Sequence, residues 1–122
     1  MSINFDFPDE LEFFEREFGL SDKNENDEGI ISYLKQYESG RELVVTILPY
    51  GYDSSVTVEI IEDNTVLASI TRDNVTSVTF QGWGEEQAIR VEWEGREALE
   101  GGNYDFIIFY NPIPKIFYGE LS

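Results

Sequence analysis

The chain has no cysteine and no histidine. The first absence excludes disulfides, thiolate nucleophiles and thiolate metal sites. The second removes the commonest general base and the commonest transition-metal ligand. Basic residues are scarce as well: Lys and Arg number 8 against 25 Asp and Glu, a formal net charge of −17 over 122 residues. An excess of that size repels phosphate backbones and anionic headgroups, so direct contact with nucleic acid or membrane is disfavoured, whereas a cationic protein surface is attracted. Long apolar runs are missing too. The stretch Phe106 to Tyr110 is far too short to span a bilayer. The start, Met1-Ser2-Ile3-Asn4-Phe5-Asp6, has neither the basic residues nor the apolar run of a signal peptide. These features lead to the expectation of a cytoplasmic protein that needs no metal or cofactor.

What is present is apolar and aromatic. Hydrophobic residues make up 41% of the chain and aromatics 15%, enough to build a core at this length and too much for a disordered chain. A single domain spanning residues 1–122 is expected. Phe7 to Phe18 has the features of a short amphipathic helix. Pro8 suits its first turn, Asp9, Glu10 and Glu12 complement the dipole, and Leu11, Phe14 and Phe18 fall on one face, expected to be the core face. Glu12 and Arg16 have the spacing of a helical ion pair. After the acidic stretch Ser21–Gly29, a second short helix is expected over Ile30–Tyr37, with Ile30, Leu34 and Tyr37 on one side.

Beyond Gly40 the period changes to two. Arg41–Leu48, Val56–Ile60, Val66–Ile70, Val75–Phe80, Ile89–Trp93 and Tyr104–Tyr110 have the patterns of strands, joined by polar turns such as Glu62-Asp63-Asn64. Tyr104–Tyr110 is apolar on both faces, as a central strand covered on each side would be. Lys115–Tyr118 suits a last edge segment after Pro112 and Pro114. The fold class these patterns favour is α+β: two N-terminal helices on a roughly six-stranded antiparallel sheet, with a β-sandwich carrying a helical appendage as the alternative.

The charge is not spread evenly. Residues 1–28 hold Asp6, Asp9, Glu10, Glu12, Glu15, Glu17, Asp22, Glu25, Asp27 and Glu28 against Arg16 and Lys23 alone. A second concentration, Glu85, Glu86, Glu92, Glu94, Glu97, Glu100 and Asp105, faces only Arg90 and Arg96. Such imbalance destabilises a compact fold by self-repulsion and exceeds what solubility requires, which points to a basic protein partner. Aromatics at loop tips bury much area at small entropic cost and serve as interface anchors. The candidate partner-binding residues are therefore Asp22, Glu25, Asp27 and Glu28 in the first acidic loop, Trp83, Glu85 and Glu86 in a glycine-bounded loop, and Tyr50 and Tyr52 around Gly51.

Catalytic patterns fail on inspection. Asp22-Lys23-Asn24-Glu25-Asn26-Asp27 has the alternation of a calcium loop, but Asp27 stands where the sharp turn needs glycine and Tyr33 where a bidentate glutamate belongs. No phosphate-binding glycine motif and no nucleophile elbow occurs. Paired carboxylates such as Glu92 and Glu94 would also need a sugar cleft that a short, strand-rich chain has little room for. A non-enzymatic binding protein is expected.

In its overall format, a short, acidic, cysteine-free single domain, and in the segments VTSVTFQGWGEEQAIRVEW (75–93) and YDFIIFY (104–110), the chain resembles bacterial immunity proteins of polymorphic-toxin and contact-dependent growth inhibition systems. The resemblance implies cytoplasmic neutralisation of a cognate toxin, often a nuclease whose basic cleft the acidic residues would cover. A DNA mimic that inhibits nucleases, or an accessory module whose acidity only solubilises it, would share the same composition.

Overall fold

The computed structural model describes residues 6–49, 54–94 and 103–117. Their secondary structure is one short helix, α1 (Glu10–Glu15), a single 3-10 turn (Asn26–Glu28) and nine strands. The strands are β1 (Gly19–Leu20), β2 (Ile31–Gln36), β3 (Arg41–Leu48), β4 (Ser55–Glu62), β5 (Thr65–Asp73), β6 (Val75–Trp83), β7 (Glu86–Glu94), β8 (Asn103–Asn111) and β9 (Lys115–Phe117). They form two antiparallel meanders, β1-β2-β3-β4-β5 and β6-β7-β8-β9, with every strand beside its sequence neighbour. The inner faces of both sheets share one core. Tyr33, Leu43, Val45, Ile47, Val56, Val58, Ile60 and Ile70 come from the first sheet; Val75, Val78, Ile89, Val91, Phe106, Ile108 and Tyr110 come from the second. Each such side chain contributes about 1.5–3 kcal/mol by leaving water.

The expected α+β architecture, two helices on one roughly six-stranded sheet, is thus corrected: two stacked antiparallel sheets carry one short helix. The segment Ile30–Tyr37, expected to be helical, is strand β2, paired along its length with β3 from Ile31↔Ile47 to Gln36↔Glu42. It buries Tyr33 and Lys35 on its inner side. A lysine on the buried face hides the apolar–polar alternation by which a strand is recognised.

The helix is also shorter than its pattern, and it uses a different face. Asp9 is the N-cap, its carboxylate accepting from the Glu12 N–H at 3.0 Å. Phe13 and Phe18 are buried, while Leu11 and Phe14 are 62% and 41% exposed. The chain leaves the helix at Glu17, in the left-handed region at φ 70°, and this brings Phe18 back beside Phe13, edge to face at 5.4 Å. Arg16 does not pair with the Glu12 side chain. Its Nη1 donates to the Glu12 carbonyl at 2.9 Å, and its guanidinium lies 4.0 Å above the Phe80 ring.

Turn chemistry sets the registers. Asp63 and Asn64 both have positive φ, as a two-residue hairpin between right-twisted strands requires. A register shift at Ile60/Ile61 pairs Ile60 with Ala68 and Ile61 with Val66, which turns Val66 off the core face to 49% exposure, although alternation placed it with Ile70. Only Asn74 separates β5 from β6. β6 begins beside Ser54, whose hydroxyl donates to the Val75 carbonyl at 2.9 Å. It carries Phe80 against Phe13, which itself stacks on Tyr33 of β2. β6 therefore runs across the first sheet from its β4 side to its β2 side. Tyr37 ties the layers together, its hydroxyl donating to the Tyr110 carbonyl at 2.6 Å. β8, as its two apolar faces imply, is an inner strand: Ile107 and Phe109 form a second small cluster with Ala88 on the face opposite the main core.

Candidate functional site

The site begins with where the cations go. Residues 6–28 carry ten carboxylates, and their two basic residues both turn away from them. Arg16 is stacked on Phe80. Lys23 reaches across the outer face of the first sheet to Glu59 on β4, 2.6 Å away. Among the described residues, Glu17 is the one acid of this segment within 4.0 Å of a cation, at 3.6 Å from Lys35. The segment keeps a concentrated, uncompensated negative charge.

The acidic loop Ser21–Ile30 is held by its own backbone. The Ser21 N–H donates to the Ser32 carbonyl at 2.9 Å, and the Ser32 N–H to Asn24 Oδ1 at 3.0 Å. Glu25 and Ile30 exchange both backbone bonds at 2.9 Å, and Gly29 supplies the positive φ (74°) that this close return needs. Glu59 stands in the row Leu34–Val44–Glu59, in which Val44 is buried. Asp22, Glu25, Asp27 and Glu28 all remain exposed on this fixed loop. The structure brings these four candidates together.

The second group is different in kind. Trp83 and Glu86 are paired backbone positions closing the β6–β7 hairpin, with Gly84 at φ 65° and Glu85 as the two turn residues. Glu85 is exposed, whereas Glu86 lies 3.3 Å from Lys115. Further along the sheet Arg90 binds Asp105 at 2.7 Å and Glu92 at 3.2 Å. Among the described acids of this half, Glu86, Glu92 and Asp105 therefore have cations within the chain. The hairpin and the acidic loop lie toward opposite ends of β2, so the candidates do not converge on one patch. Tyr50 and Tyr52 lie outside the described residues.

Between α1 and the hairpin is a polar cleft of about 440 Å³, lined by Glu15, Arg16, Glu17, Lys35, Gln87, Tyr110 and Asn111. Lys35 is buried there, its Nζ donating to the Arg16 carbonyl at 3.1 Å. Burial raises the Tyr110 hydroxyl above its usual range, against the opposing effect of the Arg16 charge and hydrogen bond. Burial, reinforced by Glu10 and Asp9, pushes the Tyr33 hydroxyl up to about 12. These groups are neutral phenols at physiological pH and serve the packing of α1 rather than proton transfer. The sequence patterns missed Leu11 and Phe14, assigned there to the core but solvent-facing here. A helix of only six residues has a buried face too narrow for both Phe13 and them.

The fold is a two-sheet antiparallel sandwich, and residues 6–28 give it an anionic edge. No family model matches the chain, and no curated protein matches it in sequence. Its fold is similar to that of a chain in a contact-dependent growth inhibition toxin–immunity protein complex from Klebsiella pneumoniae 342, with a TM-score of 0.70 over 94% of this chain and 96% of that one, at 16% identity. The resemblance to these systems drawn from sequence segments thus extends to the fold.

Proposed function

We propose that this chain is an immunity protein that binds a cognate toxin domain in the cytoplasm and blocks it by occlusion. The observation that carries the reading is the fold likeness to a chain of a toxin–immunity complex over nearly the full length of both chains. Such a complex holds two kinds of chain, and the composition favours the inhibitor. A net charge of −17 without a histidine suits a surface that meets cations better than one that performs acid–base chemistry. The exposed acids of residues 6–28 take the place of the toxin's own anionic substrate, a role that fits a nuclease with a basic cleft. Glu85, at the tip of the β6–β7 hairpin, is a secondary contact, with Trp83 beside it.

The test is a search for a toxin domain encoded beside this chain, followed by co-expression of the two. Growth should be restored, and the two proteins should co-purify in low salt. Growth arrest that continues at full expression of this chain, with no complex by size exclusion, would refute the proposal.

A further inference from the structure

The outward face of α1 carries two apolar side chains that stand outside the core formed by the described residues. Successive helical residues are rotated by about 100°, so with Phe13 pointing into the core, Leu11 and Glu15 point directly away from it and Phe14 stands beside them. Leu11 is 62% and Phe14 41% exposed. Glu10 and Glu12 flank them, and among the described residues none of these three glutamates has an ion pair. The helix itself is fixed from behind by Phe13, and by Arg16 on Phe80, so this face is presented without an ordering cost.

We infer that the Leu11–Phe14 face of α1 is the apolar anchor of the toxin interface, docking into an apolar pocket rimmed by Lys and Arg on the toxin domain. The inference rests on the immunity reading and deepens it. Charge complementarity selects the occupant. A second copy of this chain would bring the glutamates at 10, 12 and 15 of each protomer against those of the other in an interface without local cations. An uncharged groove would leave those carboxylates desolvated and unpaired. A cationic rim around an apolar socket satisfies both parts of the face. Anchors of this kind, surrounded by charges that steer approach, dominate binding energy at interfaces.

The probe is the toxin domain identified by that co-expression, with binding followed by surface plasmon resonance. Leu11→Ser/Phe14→Ser should weaken the complex at least about thirtyfold, mainly through faster dissociation. The melting temperature of the free variant should fall by only a few degrees, because neither side chain is in the core. Glu10→Gln/Glu12→Gln/Glu15→Gln should instead slow association and flatten its salt dependence. An independent readout uses the absence of cysteine: the thiol of Leu11→Cys should react freely with a maleimide in the isolated protein and be shielded in the complex. A wild-type affinity in Leu11→Ser/Phe14→Ser, or an equally reactive Leu11→Cys thiol in the complex, would overturn the inference while leaving the immunity reading intact. A concentration-dependent dimer abolished by Leu11→Ser/Phe14→Ser would assign the face to a second copy. Absence of any wild-type complex would remove the immunity reading, and this one with it.

Discussion

The Phe13 ring lies flat on that of Tyr33, centroids 3.8 Å apart and planes within 10°. Phe13 is the only buried side chain of α1, and it also meets Phe18 and Phe80 edge to face. One residue thus joins the N-terminal segment to both sheets: to β2 through Tyr33 and to β6 through Phe80. Presentation of the acids on α1 depends on this contact, because α1 has too few residues to be stable alone.

Phe13→Ala should therefore cost about 3–5 kcal/mol, the range for emptying a fully buried aromatic site. Because the cavity opens between the helix and the sheets, the loss should begin locally. Amide exchange in residues 10–20 should accelerate more than in β3, β4 or β7. Urea denaturation gives the global figure and native-state hydrogen exchange its distribution. A uniform loss across all strands would show that α1 is not a separable unit.

The same contact makes the fold sensitive to alkali. The Tyr33 hydroxyl is pushed up to about 12 by burial first and by Glu10 and Asp9 second, from an ordinary value of 10.0. Burial likewise raises Tyr37, whose hydroxyl is donated to the Tyr110 carbonyl. A raised pKa in the folded state means that the fold favours the neutral phenol. That preference is fully present below pH 10 and is lost as pH climbs through 12. The unfolding free energy should fall across this window. Tyr33→Phe, which cannot ionise, should show a shallower fall than wild type. Chemical denaturation at a series of pH values checks both, and identical slopes would assign the alkaline sensitivity to other groups.

Much of the chain beyond Gly40 was legible in the residues, and the part before it much less so. Arg41–Leu48 is a strand to the residue, the Asp63-Asn64 turn is where its chemistry placed it, and Tyr104–Tyr110 is an inner strand with two apolar faces. These follow from short-range rules: alternation, branched side chains and turn residues. The errors came from contacts distant in sequence. Lys35 turns inward because the Arg16 carbonyl, Glu17 and the rings of Phe18 and Tyr37 receive its charge, and nothing local to β2 announces this. The helix periodicity was satisfied by Leu11, Phe14 and Phe18, yet the sheets select Phe13, because Tyr33 and Phe80 are there to hold it. Division of the strands into two sheets turns on the single residue Asn74. In the candidate site, the clustering of acids in residues 1–28 could be read directly, whereas their lack of counterions could not. That depended on Arg16 and Lys23 finding partners at Phe80 and Glu59.

The uncompensated charge should itself be measurable as a conflict between stability and binding. Asp22, Glu25, Asp27 and Glu28 are exposed on one loop, and among the described residues none of them has an ion pair within 4.0 Å. Their mutual repulsion opposes folding and is screened by salt. Asp27→Asn/Glu28→Gln should therefore raise stability in low salt by a few tenths of a kcal/mol, an advantage that shrinks as salt is added. If the loop steers a basic toxin, the same variant should associate more slowly, again with a smaller difference at high salt. Glu86→Gln provides the contrast. Its carboxylate is already held by Lys115 at 3.3 Å, so its removal should leave the association rate nearly unchanged. Thermal melts and stopped-flow association at two salt concentrations distinguish the cases. A loop variant that gains stability and keeps its on-rate would make the acidity of this edge a burden without a binding role. Opposite signs in the two measurements would be expected of a surface retained for a cationic partner at the expense of the fold.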